Sequence, residues 1–266
     1  MSRISTRFLF IAAAALSAVG CGSEPTMTGK VTDVWDKPVA AAKVTIEGIA
    51  AQAETGPDGA FSFPVIEGKK RIKAGAEGYV HVQETFVFPE GENSSVAMPE
   101  VKLTLYPAPA DPGLYLVNNK DYSKLEGATI DTQGTELHAF TGIEKPGKVK
   151  VGPKARQRLV YRVALEPSEI ARLGLELHRL EFVEDTTVPG TVGEETVKVN
   201  RFVAQEEVEF DLKQLASDDC YLIVSRGKLE PGYYAFHTEG LLTGDDVDAL
   251  DKTPEELRKA YPFQVK

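Results

Sequence analysis

The stretch TGPDGAFSF, residues Thr55 to Phe63, decides the fold of the first part of the chain. Its proline presets φ for a turn and its second glycine accepts the left-handed conformation, so the Pro-Asp-Gly sequence predicts a tight turn. Phe61, Phe63 and Val65 then alternate with other residues, and side chains two positions apart lie on one face of a strand. The stretch therefore predicts a turn that leads into a strand with one buried face.

The sequence on both sides of this turn predicts an antiparallel sandwich over residues 27–106, because short alternating runs are separated by turn residues roughly every 8–12 positions. The region resembles the carboxypeptidase regulatory-like domain, a small transthyretin-like sandwich. The resemblance depends on Gly29, Val31 and Asp33, on Pro38 before Ala42 and Val44, on Asp58-Gly59 with Phe61 and Phe63, and on Gly78-Tyr79. Asp36 departs from the glycine that is usual in one turn. The resemblance implies a fold that accompanies peptidases, receptors and lipoproteins and has no catalytic residues of its own.

The first twenty residues predict a signal peptide, because Arg3 and Arg7 precede an apolar stretch that is too short to span a bilayer. Ala18-Val-Gly-Cys21 resembles the bacterial lipoprotein box. That resemblance implies a mature chain that begins at an acylated Cys21, carries palmitate-type chains and is tethered to the membrane by residues 21–26. Gly22 is not the Asp that retains lipoproteins in the inner membrane, so the resemblance implies the cell outer membrane, with the protein facing the periplasm or outward. Ordinary cleavage that leaves a free Cys21 is the alternative.

The charge balance argues against a nucleic-acid partner. Removing residues 1–20 leaves 28 basic and 40 acidic residues, a formal charge of −12, whereas phosphate binding needs a dense cationic surface. Cys220 has no disulfide partner if Cys21 is acylated, and its apolar surroundings predict a buried thiol. Stability must then come from packing.

The remaining organisation predicts an all-β protein of two tandem antiparallel β-sandwich domains with a short C-terminal helix. Three prolines in residues 107–112 predict a linker. Residues 113–242 contain further alternating runs, which predict a second β-sandwich domain that resembles no family. A short helix is expected at 168–173, closed by Gly174. The sequence Leu229–Tyr234 resembles the Leu-x-Pro-Gly-x-Tyr corner of many sandwiches, and a capping box at 253–256 predicts a helical tail over residues 243–266.

Three motifs suggest chemistry, and each has a simpler interpretation. His81 and Glu84 have the spacing of zinc carboxypeptidases, but positions three apart on a strand face opposite ways. Residues 142–148 copy the spacing of a phosphate-binding loop, but no helix follows, which favours a hairpin. Acidic residues 245–251 lack the pattern of a calcium loop. We therefore predict no catalytic residues, no metal and no cofactor.

Two features suggest a binding surface. Seven cations and no acid lie between Lys145 and Leu165, including the candidate binding residues Lys148, Lys150, Lys154, Arg156 and Arg158. These cations can bind anionic lipid or envelope polymer, or pair with the acidic stretch 206–211, which we favour. Trp35, the only tryptophan, lies in a turn and can stack on a sugar or a partner, or fold over the sandwich edge.

These patterns favour a non-enzymatic, lipid-anchored cell-envelope protein that acts as a binding or scaffolding module, with the membrane and an envelope protein or polysaccharide as partners. One alternative is a carbohydrate-binding accessory protein that uses Trp35. The other is a hydrolase with an unrecognised site in the second domain, where His138, His178 or His237 would meet a carboxylate.

Overall fold

The computed structural model describes residues 26–90, 100–135, 138–189, 196–217, 219–243 and 258–266. The first sandwich contains eight of the described strands, β1 (Thr26–Asp33), β2 (Lys43–Ile46), β3 (Gln52–Glu54), β4 (Ala60–Pro64), β5 (Gly68–Gly75), β6 (Tyr79–Val80), β7 (Val82–Phe88) and β8 (Val101–Pro107). One sheet has the order β4-β1-β8-β6 and the other β3-β2-β5-β7. The prediction of a sandwich is confirmed, although β1 and β8 pair in parallel rather than antiparallel.

The turn before Phe61 fixes the pairing of the first sheet. Gly59 has φ of +76°, and a Cβ atom there would lie 2.4 Å from the carbonyl oxygen of Val31. No other residue fits this conformation and this close approach without displacing the backbone. Phe61 and Phe63 follow on β4 and are both buried, as the alternation predicts. Asp36 also has positive φ, +63°, so an aspartate occupies a left-handed position in this turn.

The second sandwich contains the other described strands. They are β9 (Gly113–Val117), β10 (Tyr122–Lys124), β11 (Ala128–Thr129), β12 (Asp131–Thr135), β13 (His138–Gly142), β14 (Lys150–Val151), β15 (Arg158–Arg162), β16 (Leu175–Pro189), β17 (Thr196–Glu207), β18 (Phe210–Gln214), β19 (Cys220–Ser225), β20 (Gly232–Thr238) and β21 (Lys259–Val265). One sheet has the order β10-β9-β15-β19-β18. The other has the order β11-β21-β20-β16-β17, with β14 beside β21, while β12 and β13 form a hairpin.

The described part of the chain has one helix, α1 (Pro167–Leu173), at the predicted position. Glu166 caps its first turn reciprocally with Glu169, and Gly174 ends it with φ of 58° in the left-handed region. This arrangement combines proline at the start and glycine at the end of the helix.

The prediction of a helical tail is wrong for residues 259–265, which form strand β21 between β20 and β11. Ala260 and Phe263 are buried in the second sandwich, and the edge of β20 offers a backbone ladder that local helix propensity does not outweigh. The capping box at residues 253–256 lies outside the described residues.

The predicted tyrosine corner is present, and a second one lies at the start of the same sandwich. The hydroxyl of Tyr234 donates to the carbonyl of Glu230 over 2.8 Å. The hydroxyl of Tyr115 donates in the same way to the carbonyl of Asp111, also over 2.8 Å. Both sites have the sequence x-Pro-Gly-x-Tyr, so one local motif begins a strand in each sheet of the second sandwich.

One hydrophobic cluster extends across both sandwiches, in addition to clusters that lie within the second sandwich. Val117, Val160, Leu215 and Cys220 of the second sandwich belong to the same buried cluster as the core residues of the first. A backbone hydrogen bond from Ala216 to the carbonyl of His81 also crosses the boundary. The second sandwich is therefore packed against the first rather than separated from it.

The proline-rich linker is part of this packing. Its carbonyl groups at Pro109 and Ala110 accept hydrogen bonds from the guanidinium of Arg162, and that at Pro107 accepts one from the hydroxyl of Tyr122. Buried or half-buried carbonyls need such partners, so these bonds hold the segment in one conformation.

Candidate functional site

The residues predicted for membrane attachment lie outside the described part of the chain, which begins at Thr26. Lipidation of Cys21 therefore stays a prediction. Among the described residues, no helix has the length and apolar character that crossing a membrane requires.

Trp35 lies half-buried at the boundary between the sandwiches. Its indole Nε1 donates a hydrogen bond to the carbonyl of Asn118 over 2.9 Å, and its ring lies 5.5 Å from that of Tyr122. The Lys37 ammonium lies 6.0 Å from the indole centroid. These contacts fit the interpretation that the indole folds over the sandwich edge, and they give it a role in joining the two sandwiches.

The basic segment stays largely exposed. Lys148, Lys150, Arg156 and Arg158 are solvent-exposed. Among the described residues, the one ion pair of this group joins Lys148 to Glu126 at 4.0 Å. Both of those side chains are highly exposed, which makes the pair weak.

The sequence favours pairing of the basic segment with the acidic stretch 206–211. In the structure, however, two of those acids pair with a different residue. Arg226 contacts Glu209 at 3.0 Å and Asp211 at 2.9 Å. Lys154 is held against the sandwich, because its ammonium donates a hydrogen bond to the carbonyl of Val117. Burial also lowers the pKa of this ammonium. The exposed cations of this segment thus remain accessible to an anionic partner.

The three motifs with suggestive spacing do not form sites in the described residues. His81 is exposed immediately before strand β7, on which Glu84 lies, and the two belong to no group with metal-ligand geometry. Residues 142–148 lead into strand β14 rather than a helix, but the hairpin interpretation is wrong, because β13 pairs with β12 and β14 pairs in parallel with β21. The acidic stretch 245–251 lies outside the described residues.

One cluster of potential metal ligands occurs in the described part of the chain, formed by Glu176, His178 and His237. Glu176 and His237 are directly opposite each other on β16 and β20. His178 is two residues after Glu176, and its side chain therefore lies on the same face. The opposite face carries Leu177 and Phe236, which pack in the core of the second sandwich.

The two imidazoles form a hydrogen-bonded pair. Nδ1 of His178 lies 2.9 Å from Nε2 of His237, and Nδ1 of His237 lies 2.8 Å from the carbonyl of Thr238. A carbonyl only accepts, so His237 must donate through Nδ1, and its Nε2 then accepts the proton of His178. Glu176 completes the cluster, because its Oε2 lies 3.9 Å from Nδ1 of His178 and 3.7 Å from Nδ1 of His237.

Burial disfavours the charged form of both histidines. Burial lowers the pKa of His237 to about 4, although the hydrogen bond to Thr238 acts in the opposite direction. Burial also lowers the pKa of His178, and the negative charge of Glu207 opposes that shift. A neutral imidazole has a nitrogen lone pair available, which is the form that binds metal ions.

Sequence reasoning considered His178 and His237 separately and missed Glu176. The sequence Glu176-Leu-His178 within a predicted strand indicates that these two side chains lie together, because residues two positions apart share a face. The pairing of this strand with the one that carries His237 is a tertiary feature that a sequence pattern does not specify. The third candidate, His138, begins strand β13, and its backbone pairs with Thr135.

Comparisons with known proteins agree with the architecture of the first sandwich. Residues 26–103 match the family model of the carboxypeptidase regulatory-like domain. The resemblance predicted for this region is therefore confirmed, and the first sandwich is a β domain of that type.

No curated protein shows a significant match to the chain. Among solved structures, a DUF3823 family protein from Parabacteroides merdae ATCC 43184 is similar, with 11% sequence identity and a TM-score of 0.23. The similarity covers 91% of this chain and 98% of that one. A TM-score this low supports no inference about function.

Proposed function

We propose that the protein is a non-enzymatic, lipid-anchored component of the cell envelope whose two sandwiches together present a binding or scaffolding surface. The observation that carries this proposal is the shared core, in which Val117, Val160 and Leu215 join the cluster of the first sandwich. A boundary formed by buried apolar side chains opposes independent motion of two domains. The outer surfaces are consequently held at one distance and angle, as a scaffold requires.

The proposed anchor is a set of acyl chains on Cys21. Each buried methylene contributes about 0.8 kcal/mol, so several chains give firm attachment where a single chain is marginal. The first described residue, Thr26, begins strand β1 of the first sandwich. A short tether would keep that sandwich close to the membrane, which we propose is the outer membrane.

The anchor is tested by labelling cells with a palmitate analogue and determining the mass of the mature amino terminus. We expect label on the wild-type protein and none on a Cys21→Ala variant, which should also leave the membrane fraction. An unmodified wild-type amino terminus would refute the anchor while leaving the binding surface to be judged separately.

The proposed binding surface is the basic segment, with an anionic envelope polysaccharide as its partner. Lys148, Lys150, Arg156 and Arg158 are exposed on a protein with an overall negative charge. Such a local concentration of cations attracts a polyanion while the rest of the surface repels it. The attraction between exposed charges is screened by salt, with a Debye length of about 8 Å at physiological ionic strength.

A charge-reversal variant tests this surface. Changing Lys148, Lys150, Arg156 and Arg158 to Glu should abolish co-sedimentation with isolated anionic envelope polysaccharide at low salt. The matched control reverses four exposed lysines of the first sandwich, Lys43, Lys69, Lys73 and Lys102. Equal loss of binding in both variants would indicate a general charge effect and would contradict the assignment of the surface.

The geometry bears differently on the two alternatives. The carbohydrate-binding alternative needs an indole face that is open to a sugar, whereas Trp35 is half-buried and its ring lies 5.5 Å from that of Tyr122. The hydrolase alternative expects a histidine beside a carboxylate, and His178 and His237 do lie beside Glu176. A hydrolase of the nucleophilic type needs in addition a nucleophile that contacts its base. In the part of the chain that the structure describes, neither His178 nor His237 is hydrogen-bonded to a serine, threonine or cysteine side chain.

A further inference from the structure

We propose that Glu176, His178 and His237 bind one divalent first-row transition-metal ion, for which Zn²⁺ is the best match. The proposal is independent of the lipid anchor and of the basic surface. It depends on the convergence of three side chains on one face of the second sandwich, where one ligand atom from each lies within 4.8 Å of the others.

The strands hold these ligands in place. β16 pairs with β20 on one side and with β17 on the other, so both ligand-bearing strands lie inside a sheet of six strands. Glu176 pairs directly with His237, and His178 pairs with Ala235. Sites on paired strands are more precise than sites on loops, because the backbone ladder fixes the origin of each side chain.

The hydrogen bonds of His237 prepare it to bind a metal. Its Nδ1 donates to the carbonyl of Thr238, which fixes the tautomer and directs the lone pair of Nε2 towards His178. Metal-bound histidines commonly donate their other nitrogen to a carbonyl in this way. In the metal-free protein the proton of His178 Nδ1 lies between the rings. A metal ion would take its place, with that proton moving to Nε2 of His178.

Two of the distances between ligand atoms are close to those of a zinc site. Zinc bonds of about 2.0–2.1 Å at tetrahedral angles place ligand atoms about 3.3 Å apart. The ring nitrogens of His178 and His237 are 2.9 Å apart and would separate by about 0.4 Å. Nδ1 of His178 and Oε2 of Glu176 are 3.9 Å apart and would approach by about 0.6 Å. The imidazoles would also have to rotate, because Nδ1 of His178 and Nε2 of His237 point at each other in the hydrogen bond, whereas a shared ion lies to one side of the line that joins them.

The ligand set selects the class of ion. Two imidazoles and one carboxylate suit zinc and its neighbours in the first transition row. Calcium and magnesium prefer oxygen ligands, and copper(I) prefers sulfur. Three protein ligands leave a fourth position for water. Burial limits access to the histidines, but the side chain of Glu176 is 21% exposed and offers a route from solvent.

Zinc binding is tested on the tag-free full-length protein after treatment with a chelator. We expect isothermal titration with Zn²⁺ to give one equivalent, and Co²⁺ to give the intense visible absorption of a four-coordinate ion. His178→Gln and His237→Gln should each lower the affinity for Zn²⁺ about tenfold or more. The matched control is His81→Gln, which replaces an exposed histidine of the first sandwich and should leave the affinity unchanged.

A second measurement needs no variant. Long-range nitrogen–proton NMR spectra of the wild-type imidazoles should show that Zn²⁺ shifts the resonances of His178 and His237 and leaves those of His81 in place. Absence of stoichiometric binding, or shifts confined to other histidines, would overturn the proposal. The proposal would also be overturned if His81→Gln lowered the affinity for Zn²⁺ as much as His178→Gln and His237→Gln do.

Discussion

Replacing Leu215 by alanine should weaken the contact between the two sandwiches selectively. Leu215 is 5% exposed and belongs to the core cluster that both sandwiches share. The substitution removes three carbon atoms, about 0.8 kcal/mol for each in transfer free energy, and leaves a cavity as well. We expect a loss of about 2–4 kcal/mol, which changes the equilibrium between packed and separated sandwiches by about 30- to 1000-fold.

The single tryptophan makes this loss measurable. Trp35 lies at the boundary, where its indole donates to Asn118, so its fluorescence reports on the contact, whereas far-UV circular dichroism reports on all strands. In the wild type both signals should change together during urea unfolding. In Leu215→Ala the fluorescence change should come at a lower urea concentration than the dichroism change.

The matched control is Leu229→Ala. Leu229 is 4% exposed but belongs to the separate core of the second sandwich, so its loss should lower stability without separating the two signals. The reasoning would be refuted if Leu215→Ala left the fluorescence midpoint at its wild-type value, or if Leu229→Ala separated the signals equally.

Three further predictions concern single side chains. Thr55→Val should lower the free energy of unfolding by about 2–4 kcal/mol, because the buried hydroxyl accepts from the Ala42 amide and donates to the Val39 carbonyl. Chemical denaturation measures this loss, and a loss below about 1 kcal/mol, the value of one exposed hydrogen bond, would contradict the prediction. Tyr234→Phe should cost about 1 kcal/mol by removing the corner hydrogen bond, and a melting temperature equal to that of the wild type would count against it. Burial raises the pKa of Cys220 to about 12, so this thiol should resist alkylation in the folded protein at neutral pH and react after unfolding. Mass spectrometry of the modified peptide measures the labelling, and rapid labelling of the native state would argue against burial.

The elements that the sequence predicted best are those encoded locally. The turn before Phe61, the helix that ends at Gly174 and the corner at Tyr234 each depend on residues within a few positions of one another, so their conformational preferences are visible in the sequence. The corner at Tyr115 has the same pattern and was not identified, because its proline was assigned to the linker.

The features that the sequence did not predict depend on contacts between distant residues. Local spacing favoured a helix near Ala260, but the edge of β20 recruits that segment as a strand. Glu209 and Asp211 were expected to pair with the basic segment, whereas the register of β18 with β19 brings them to Arg226. The ligand cluster likewise arises from the pairing of β16 with β20, which joins residues about 60 positions apart.

The most direct test of the account is the distance between the two sandwiches in solution. Spin labels on cysteines that replace the exposed Lys73 and Lys213, in a Cys21→Ser background, report this distance by pulsed electron double resonance. Because the sandwiches share a core, the account predicts one narrow distance distribution. A broad distribution, as expected for two domains on a flexible linker, would contradict it.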